Sequence, residues 1–452
     1  MKSSHEQVIV TVGFVALGCP KNIVDSEKML ADIGESGFVL SGDPDNADVV
    51  VINTCGFIAP AKEEALDAIR QAVKQKKKGR VGKVVVCGCL SERMGQALLD
   101  EVAGIDAVVG LGQRGAISRI IADVIARNGK AKAQSRLYLS GSGEAPLDDR
   151  GRLLITPGHW AYLRISEGCD RQCAFCTIPA IRGRFRSKDA DVVVAEAREL
   201  VAHGAVELSL IAQDSNYYLR DRGVKNGLVK LIDELAAIDG LAWIRLMYLY
   251  PATVDDELIA AIAGNEKVVK YVDVPVQHIN DTILKAMRRA DRKETTLRLI
   301  EKLRAAMPDV VLRTTVITGF PGETDEAFEE LMAFVEWAKF DALGCFPFYA
   351  EAETHAATLG EQVPEEVRHA RADRLMLAQQ EIAFAAGRRR IGQNLTCLVD
   401  EIDDEGVRGR FYGQAPHIDS VCHIRGPAAE PGEFISTRVI DTQDYDLIVE
   451  RV

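Results

Sequence analysis

Short apolar runs alternate with amphipathic stretches from residue 8 to about 124. Runs over 13–17, 49–53 and 83–86 suit buried strands, and 61–75 repeats its apolar residues at helical spacing. That alternation predicts a small parallel sheet with helices on its faces. Over 126–155 the texture changes to Gly, Ser, Lys, Arg and Asp, including Ser140-Gly141-Ser142-Gly143, which reads as a linker. A second series of strands follows over 162–166, 206–212, 242–249, 270–275, 311–318 and 343–346. Six strands alternating with helices imply a barrel or partial barrel, whose site should lie at the carboxyl ends of its strands. A long helix over 365–390 closes the series. The remainder has no helical period and carries the turn signals Asp403-Asp404-Glu405-Gly406, Arg425-Gly426-Pro427 and Pro431-Gly432, as a small antiparallel barrel would. The expected fold class is therefore α/β, with a small parallel α/β domain at 8–125, a linker at 126–155, a partial (βα)6 barrel at 156–388 and an antiparallel β-barrel at 389–452.

Composition narrows the class. A chain of 452 residues is too long for one hydrophobic core, and 47% apolar with 27% charged residues suits a soluble globular protein. No apolar run approaches the roughly 18 residues of a membrane helix, and 1–7 is polar without a signal-peptide core, so no membrane role and a cytoplasmic location are expected. The net charge of −12 repels a phosphate backbone unless basic residues gather on one face; a basic partner suits it better. Ten cysteines, several at short spacing, point to metal or redox chemistry rather than to a disulfide framework.

The densest group is Cys169-Asp-Arg-Gln-Cys173-Ala-Phe-Cys176, just after a strand and Gly168. Three thiolates on one loop can each hold one iron of a cubane cluster and leave the fourth iron open. An open metal position is where catalysis occurs, whereas a structural zinc knuckle wants four ligands. The stretch from Glu167 to Cys176, with Phe175 before the last cysteine, resembles the radical S-adenosylmethionine signature. That resemblance implies a [4Fe-4S] cluster on Cys169, Cys173 and Cys176 whose open iron chelates the amino and carboxylate groups of S-adenosylmethionine. Electron transfer then yields a 5′-deoxyadenosyl radical.

A second group is spread through the first domain. Cys19, Cys55 and Cys89 each follow an expected strand, at the sheet edge where open α/β folds bind ligands. They can converge there, or each can be a small buried hydrophobe, the reading that suits Cys87 within its strand. Leu17-Gly18-Cys19-Pro20-Lys21-Asn22-Ile23-Val24-Asp25-Ser26-Glu27, Asn53-Thr54-Cys55-Gly56-Phe57-Ile58 and Gly88-Cys89-Leu90 resemble the amino-terminal domain of the methylthiotransferases. Thr177-Ile178-Pro179 and Arg182-Gly183 match the same family, and the tail stands where that family has its TRAM domain. The resemblance implies a second, auxiliary [4Fe-4S] cluster on Cys19, Cys55 and Cys89.

Other candidates carry less. Gly319-Phe-Pro-Gly322-Glu323 resembles a family segment lining the S-adenosylmethionine pocket, and equally reads as a turn feeding a helix. Gln277 and His278 end a strand, where a lone His is usually structural. Arg182, Arg184, Arg186 and Lys188 read as a solvated basic loop, and Cys345, Cys397 and Cys422 as structural cysteines. No residue is singled out as an acid–base catalyst.

Members of the family modify either a tRNA adenosine or the β-carbon of an aspartate in small-subunit ribosomal protein twelve. The segment 391–452 holds 12 acidic residues against 5 arginines and no lysine, a poor match for RNA and a good one for a basic ribosomal protein. Gln213-Asp214-Ser215, Tyr217-Tyr218, Tyr248-Leu249-Tyr250-Pro251 and Val274-Pro275-Val276-Gln277-His278 resemble the protein-modifying branch, RimO, although the glycine usual before Thr354 is absent. This branch implies two uses of S-adenosylmethionine, an external reductant and sulfur source, and no direct tRNA substrate. It also calls for a closed, dry site, expected here from a barrel mouth covered by the other two domains. The alternatives are a tRNA adenosine methylthiotransferase and a non-catalytic iron–sulfur electron carrier.

Overall fold

The run Val49–Thr54 is β-branched at nearly every position, which suits a strand covered on both faces. The structure, a computed structural model, describes residues 9–127, 136–141, 143, 148–427 and 429–452. They fall into two compact units. The first takes the chain up to Ile155 with Glu167–Asp170 and Cys176–Arg186; the second takes Thr156–Ser166, Arg171–Phe175 and Ser187–Val452.

In the first unit the strands are β1 (Thr11–Ala16), β2 (Val39–Ser41), β3 (Val49–Thr54), β4 (Lys83–Gly88), β5 (Ala107–Val109) and β6 (Leu137–Tyr138). They form one parallel sheet in the order β2-β1-β3-β4-β5-β6. Alternate residues point to opposite faces. Val50, Ile52, Val84 and Val86 pack with Leu66, Ile69 and Val73 of the helix Ala59–Lys77. Val49, Val51, Val85 and Cys87 pack with Ile33 of the helix Pro20–Glu35 and with Ile120 and Ile121 of the helix Ile117–Ala126. Cys87 is thus a core residue, as its place in the strand suggests.

The stretch expected as a linker contains β6, and its far end is fastened to the first unit: Arg152 pairs with Glu27 at 3.2 Å, and Leu153 N donates to Glu27 O. Part of it, 128–135, 142 and 144–147, including Ser142 of the Ser-Gly run, lies outside the described residues.

The second unit begins with β7 (Trp160–Arg164); the short strands β8 (Ser166–Glu167) and β9 (Arg186–Ser187) flank the cysteine loop in sequence. Then come β10 (Glu207–Ile211), β11 (Trp243–Leu246), β12 (Val268–Asp273), β13 (Val311–Thr318) and β14 (Ala342–Pro347). The parallel sheet runs β7-β10-β11-β12-β13-β14, the order of strands round a (βα) barrel, with β14 and β7 at its two edges. The helix Glu365–Arg389 lies along β14 and leads to the tail. Among the described residues no helix is long and apolar enough to cross a membrane.

In the tail, β15 (Asn394–Asp403), β16 (Gly406–Phe411), β17 (Cys422–Arg425), β18 (Phe434–Gln443) and β19 (Asp446–Arg451) close into a five-stranded barrel. It is antiparallel except for the parallel pair β17–β19. This barrel docks at the amino-terminal ends of the core strands. Glu207, the first residue of β10, bonds Arg245 at 2.8 Å and Arg410 of the tail at 2.7 Å. Arg410 also bonds Asp400, which meets His159 just before β7 at 2.9 Å. Trp243, which opens β11, stacks edge-on with Phe434 at 4.8 Å, and Tyr412 donates to Asp309 O ahead of β13. The tail therefore does not cover the carboxyl-end mouth of the core, contrary to the expectation from sequence. The physical reason is this charge cluster, in which Glu207 opens β10 and His159 just precedes β7.

Burial alone would raise the Glu207 carboxyl, but Arg410 and Arg245 outweigh it and hold it below the ordinary glutamate value. Arg410→Met, which leaves the buried Glu207 and the half-buried Asp400 with less compensation, is expected to cost about 3–5 kcal/mol near neutral pH. A carboxyl depressed on folding contributes stability above its unfolded pKa and loses it as pH falls through the folded one, so the cost should shrink below about pH 4. Urea titration followed by tryptophan fluorescence at both pH values checks this; an equal cost at both would contradict it.

Candidate functional site

Cys19, Cys55 and Cys89 leave the neighbouring strands β1, β3 and β4 at the carboxyl edge of the first sheet. The strand order reverses between β1 and β3, which is where open α/β sheets hold ligands. Cys19 caps the helix Pro20–Glu35, and Cys89 is the first residue of the helix Cys89–Met94. Side-chain amides lace the strand ends together. Asn22 Nδ2 donates to Leu17 O at 3.0 Å and to Thr54 O at 2.9 Å, Asn53 Nδ2 donates to Asn22 O and Ser26 Oγ, and Thr54 Oγ1 donates to Cys87 O. Gly18 has φ +93°, and a methyl there would stand 2.8 Å from Cys55 Cβ, so only glycine lets these two cysteine loops approach.

The thiols interact with one another and with one buried cation. Burial raises Cys55 and pushes Cys89 up to about 12, while the guanidinium of Arg182 pulls both back. Arg182 donates to Asn22 Oδ1 at 2.6 Å, the same oxygen that lies 3.6 Å from Cys89 Sγ. It also belongs to a ring of alternating charge. Arg182 meets Asp25 at 3.2 Å and Glu167 at 3.0 Å, and Arg114 meets the same Asp25 at 3.1 Å and the same Glu167 at 3.4 Å. All four are buried. The ring joins the helix after Cys19 to the residue two before Cys169. Next to Arg182, Ile181 packs on Cys89 and Leu111.

Of the second triad, Cys169 and Cys176 count with the first unit and Cys173 with the second. Cys169 N donates to Gly183 O at 3.1 Å, and Phe185 N donates to Asp170 Oδ1, which pins the start of the loop to the segment after the helix Ile178–Arg182. Ala174 N donates to Met287 O and Ala356 N to Ala174 O, while Ala174 and Phe175 pack with Ile283, Phe320 and Phe348. Burial raises the Cys173 thiol and Arg289 lowers it. The ring centroid of Tyr250 is 4.0 Å from the Arg171 guanidinium and 4.5 Å from that of Arg289, and Arg171 pairs with Asp214 at 2.7 Å. Among the described residues, no three His, Cys, Asp or Glu side chains gather closely enough to bind a single metal ion. In a cubane cluster each thiolate takes its own iron, so its ligands stand wider apart than those of one ion.

The carboxyl rim of the second unit is held in unusual backbone. Tyr248 after β11, Gln277 after β12 and Gly319 after β13 have φ of +60°, +66° and +70°. Non-glycine residues keep such conformations only where surrounding bonds enforce them, and they cluster at functional sites. Gln277 N donates to Thr315 O and its carbonyl accepts from Ile317 N; Tyr248 N donates to Asp273 Oδ2. Asn216 bonds both backbone groups of Tyr250. Gly319 packs on Arg368 with no room for a Cβ, and its N–H donates to Glu323 Oε1. Glu323 also meets Arg371 at 2.7 Å and His278 at 3.2 Å, so one buried carboxylate holds both the Gly319–Gly322 turn and His278.

Arg182 and Lys188 are not in a solvated loop, as their charge run suggests. Arg182 sits in the ring above, and Lys188 is buried on Glu196 at 2.6 Å. Arg114 and Asn216 carry no signal in the sequence alone. Cys397 and Cys422 lie buried in the tail barrel, bonded to Thr437 and Gln414 respectively, and Cys345 is 3.9 Å from Thr318 Oγ1.

Three family models match the chain: an uncharacterized protein family, UPF0004, over 11–110, the radical SAM superfamily over 163–335, and the TRAM domain over 391–452. A protein of Symbiobacterium thermophilum named ribosomal protein uS12 methylthiotransferase RimO is 43% identical, over 98% of this chain and 91% of its own length. Its namesake in Geobacter sulfurreducens is 42% identical over 97% and 98%. Among solved structures, the radical S-adenosylmethionine methyltransferase TsrM of Kitasatospora setae shares the fold with a TM-score of 0.55 at 15% identity, over 74% of this chain and 72% of that one.

Gly168 has φ +77°, and a Cβ there would collide with the backbone carbonyl of Arg184. Gly168→Ala is expected to destabilise the first unit by about 2 kcal/mol or more and to displace Cys169. Urea unfolding of the iron-free protein, with iron content after reconstitution, measures both. A variant as stable and as iron-rich as the parent would contradict this reading of the loop.

Proposed function

Because this chain belongs to the RimO family of ribosomal protein uS12 methylthiotransferases, we propose that it adds a methylthio group to the β-carbon of an aspartate in that small-subunit protein. One observation carries the reading: Cys19, Cys55 and Cys89 leave adjacent parallel strands at one edge, in a chain whose other triad has the spacing of a radical S-adenosylmethionine loop.

On this reading Cys169, Cys173 and Cys176 hold one [4Fe-4S] cluster with an open iron for S-adenosylmethionine, and Cys19, Cys55 and Cys89 hold a second. The donor sets fit, since each triad offers three thiols and leaves one iron for an outside ligand. Once bound, these groups would supply a 5′-deoxyadenosyl radical at one triad and a sulfur carrier at the other. The chain's own residues hold and orient them. The Asn22, Asn53 and Thr54 lacing fixes the first triad, and the bonds of Cys169, Asp170 and Ala174 fix the loop of the second. Gly319 and Gly322 would line the S-adenosylmethionine pocket, with Glu323 holding the turn.

The tail supports a basic protein rather than tRNA as the macromolecular substrate. Glu401, Asp403, Asp404 and Glu405 are exposed round the turn between β15 and β16. Arg408, which pairs with Glu401, Asp403 and Glu405, offsets only part of their charge. A ribosomal protein substrate places the reaction in the cytoplasm, with electrons and sulfur drawn from outside the chain.

Reconstituted without oxygen, the chain should bind about eight irons, and the variant with Cys169, Cys173 and Cys176 all changed to Ala about four. The variant with Cys19, Cys55 and Cys89 changed to Ala should still cleave S-adenosylmethionine to 5′-deoxyadenosine yet leave purified uS12 unmodified. Loss of all iron or none in the first variant, or normal product from the second, would overturn the assignment.

A further inference from the structure

The ring of Asp25, Arg114, Glu167 and Arg182 stands out because a buried ion quartet is a weak source of stability. The desolvation of four charges consumes most of what their attraction returns, and apolar residues of similar volume often serve as well. Packing alone does not explain why charge is placed here. Its position does. Arg182 shares the Asn22 Oδ1 atom with Cys89 Sγ, its neighbour Ile181 packs on Cys89, and its charge acts on Cys19, Cys55 and Cys89 together. Asp25 acts on Cys89 with the opposite sign.

Resting on the reading that this triad holds a cluster, we propose that Arg182 is a positioning residue that sets the reduction potential of that cluster, with Asp25 and Glu167 as counterweights. Reduction adds one negative charge to the cluster. A fixed cation in a buried, low-dielectric setting stabilises that added charge and raises the potential; a fixed anion lowers it. In the intact ring the two guanidiniums and two carboxylates cancel in sum, but Arg182 is the member that bonds Asn22 beside Cys89. The cluster then senses mainly the cation, trimmed by the carboxylates behind it. The ring also ties the helix after Cys19 to Glu167, so a change at Arg182 reaches the segment that leads into Cys169.

The test is potentiometry, monitored by electron paramagnetic resonance, on the full-length chain carrying Ala at positions 169, 173 and 176, so that one cluster remains. Relative to this parent, Arg182→Gln is expected to shift the midpoint to a more negative value, and Arg182→Lys to shift it less. Asp25→Asn and Glu167→Gln are expected to shift it the other way. Opposite signs separate an electrostatic role from a merely structural one, because a loosened site would move all variants alike. The proposal is overturned if Arg182→Gln leaves the midpoint in place or raises it, or if Asp25→Asn moves it in the same direction as Arg182→Gln. It is overturned as well if none of the ring variants keeps iron while the parent does, since the ring would then be scaffold alone. A parent that binds no iron would instead defeat the two-cluster reading beneath it.

Discussion

A parallel sheet delivers every strand's carboxyl end to the same edge, and the rest of this molecule is organised around making that edge usable. Strand ends expose backbone carbonyls and N–H groups that cannot be left buried and unpaired. In the first unit side chains supply the missing partners: Asn22 reaches the carbonyls of Leu17 and Thr54, Asn53 reaches that of Asn22, and Thr54 that of Cys87. Three cysteines distant in sequence are held in one neighbourhood as a result. The second unit solves the same problem at its carboxyl rim with Asn216 on Tyr250, Asp273 on Tyr248 and Glu323 on Gly319.

Buried charge appears in both units with different consequences. At the amino-terminal ends of the core strands, Glu207, Arg245, Arg410 and Asp400 join the tail barrel to the core through bonds of 2.7–2.9 Å. Truncating one member strands the others without compensation, so the cluster fixes where the tail sits even if its net stabilisation is small. That placement leaves the carboxyl rim to the core's own loops. In the first unit the ring of Asp25, Arg114, Glu167 and Arg182 connects segments that carry cysteines of both triads.

Much of this was legible in the sequence, and the exceptions have physical causes. Apolar runs marked β1, β3 and β4 and the six core strands, but β2, β5 and β6 have only two or three residues, too few for a period to register. The cysteines carried their own signal through spacing and strand ends. Arg182 and Lys188 looked like members of a solvated basic run because a charge gives no hint of a partner far along the chain, and Asp25 stands 157 residues from Arg182. The seat of the tail was likewise invisible, since Glu207 and Arg410 are 203 residues apart and neither belongs to a local motif. His278, read from the sequence as a strand-end histidine, is fully buried and meets Glu323 at 3.2 Å.

On the function proposed above, the chain methylthiolates an aspartate of ribosomal protein uS12 and leaves tRNA adenosines untouched. Mass spectrometry of small-subunit protein uS12 and of total tRNA nucleosides, from cells with and without the gene for this chain, tests it most directly. The aspartate is expected to carry the added methylthio group only when the chain is present, with tRNA adenosines the same in both. An unmodified aspartate in both cells, or a methylthio-adenosine that disappears with the chain, would contradict it.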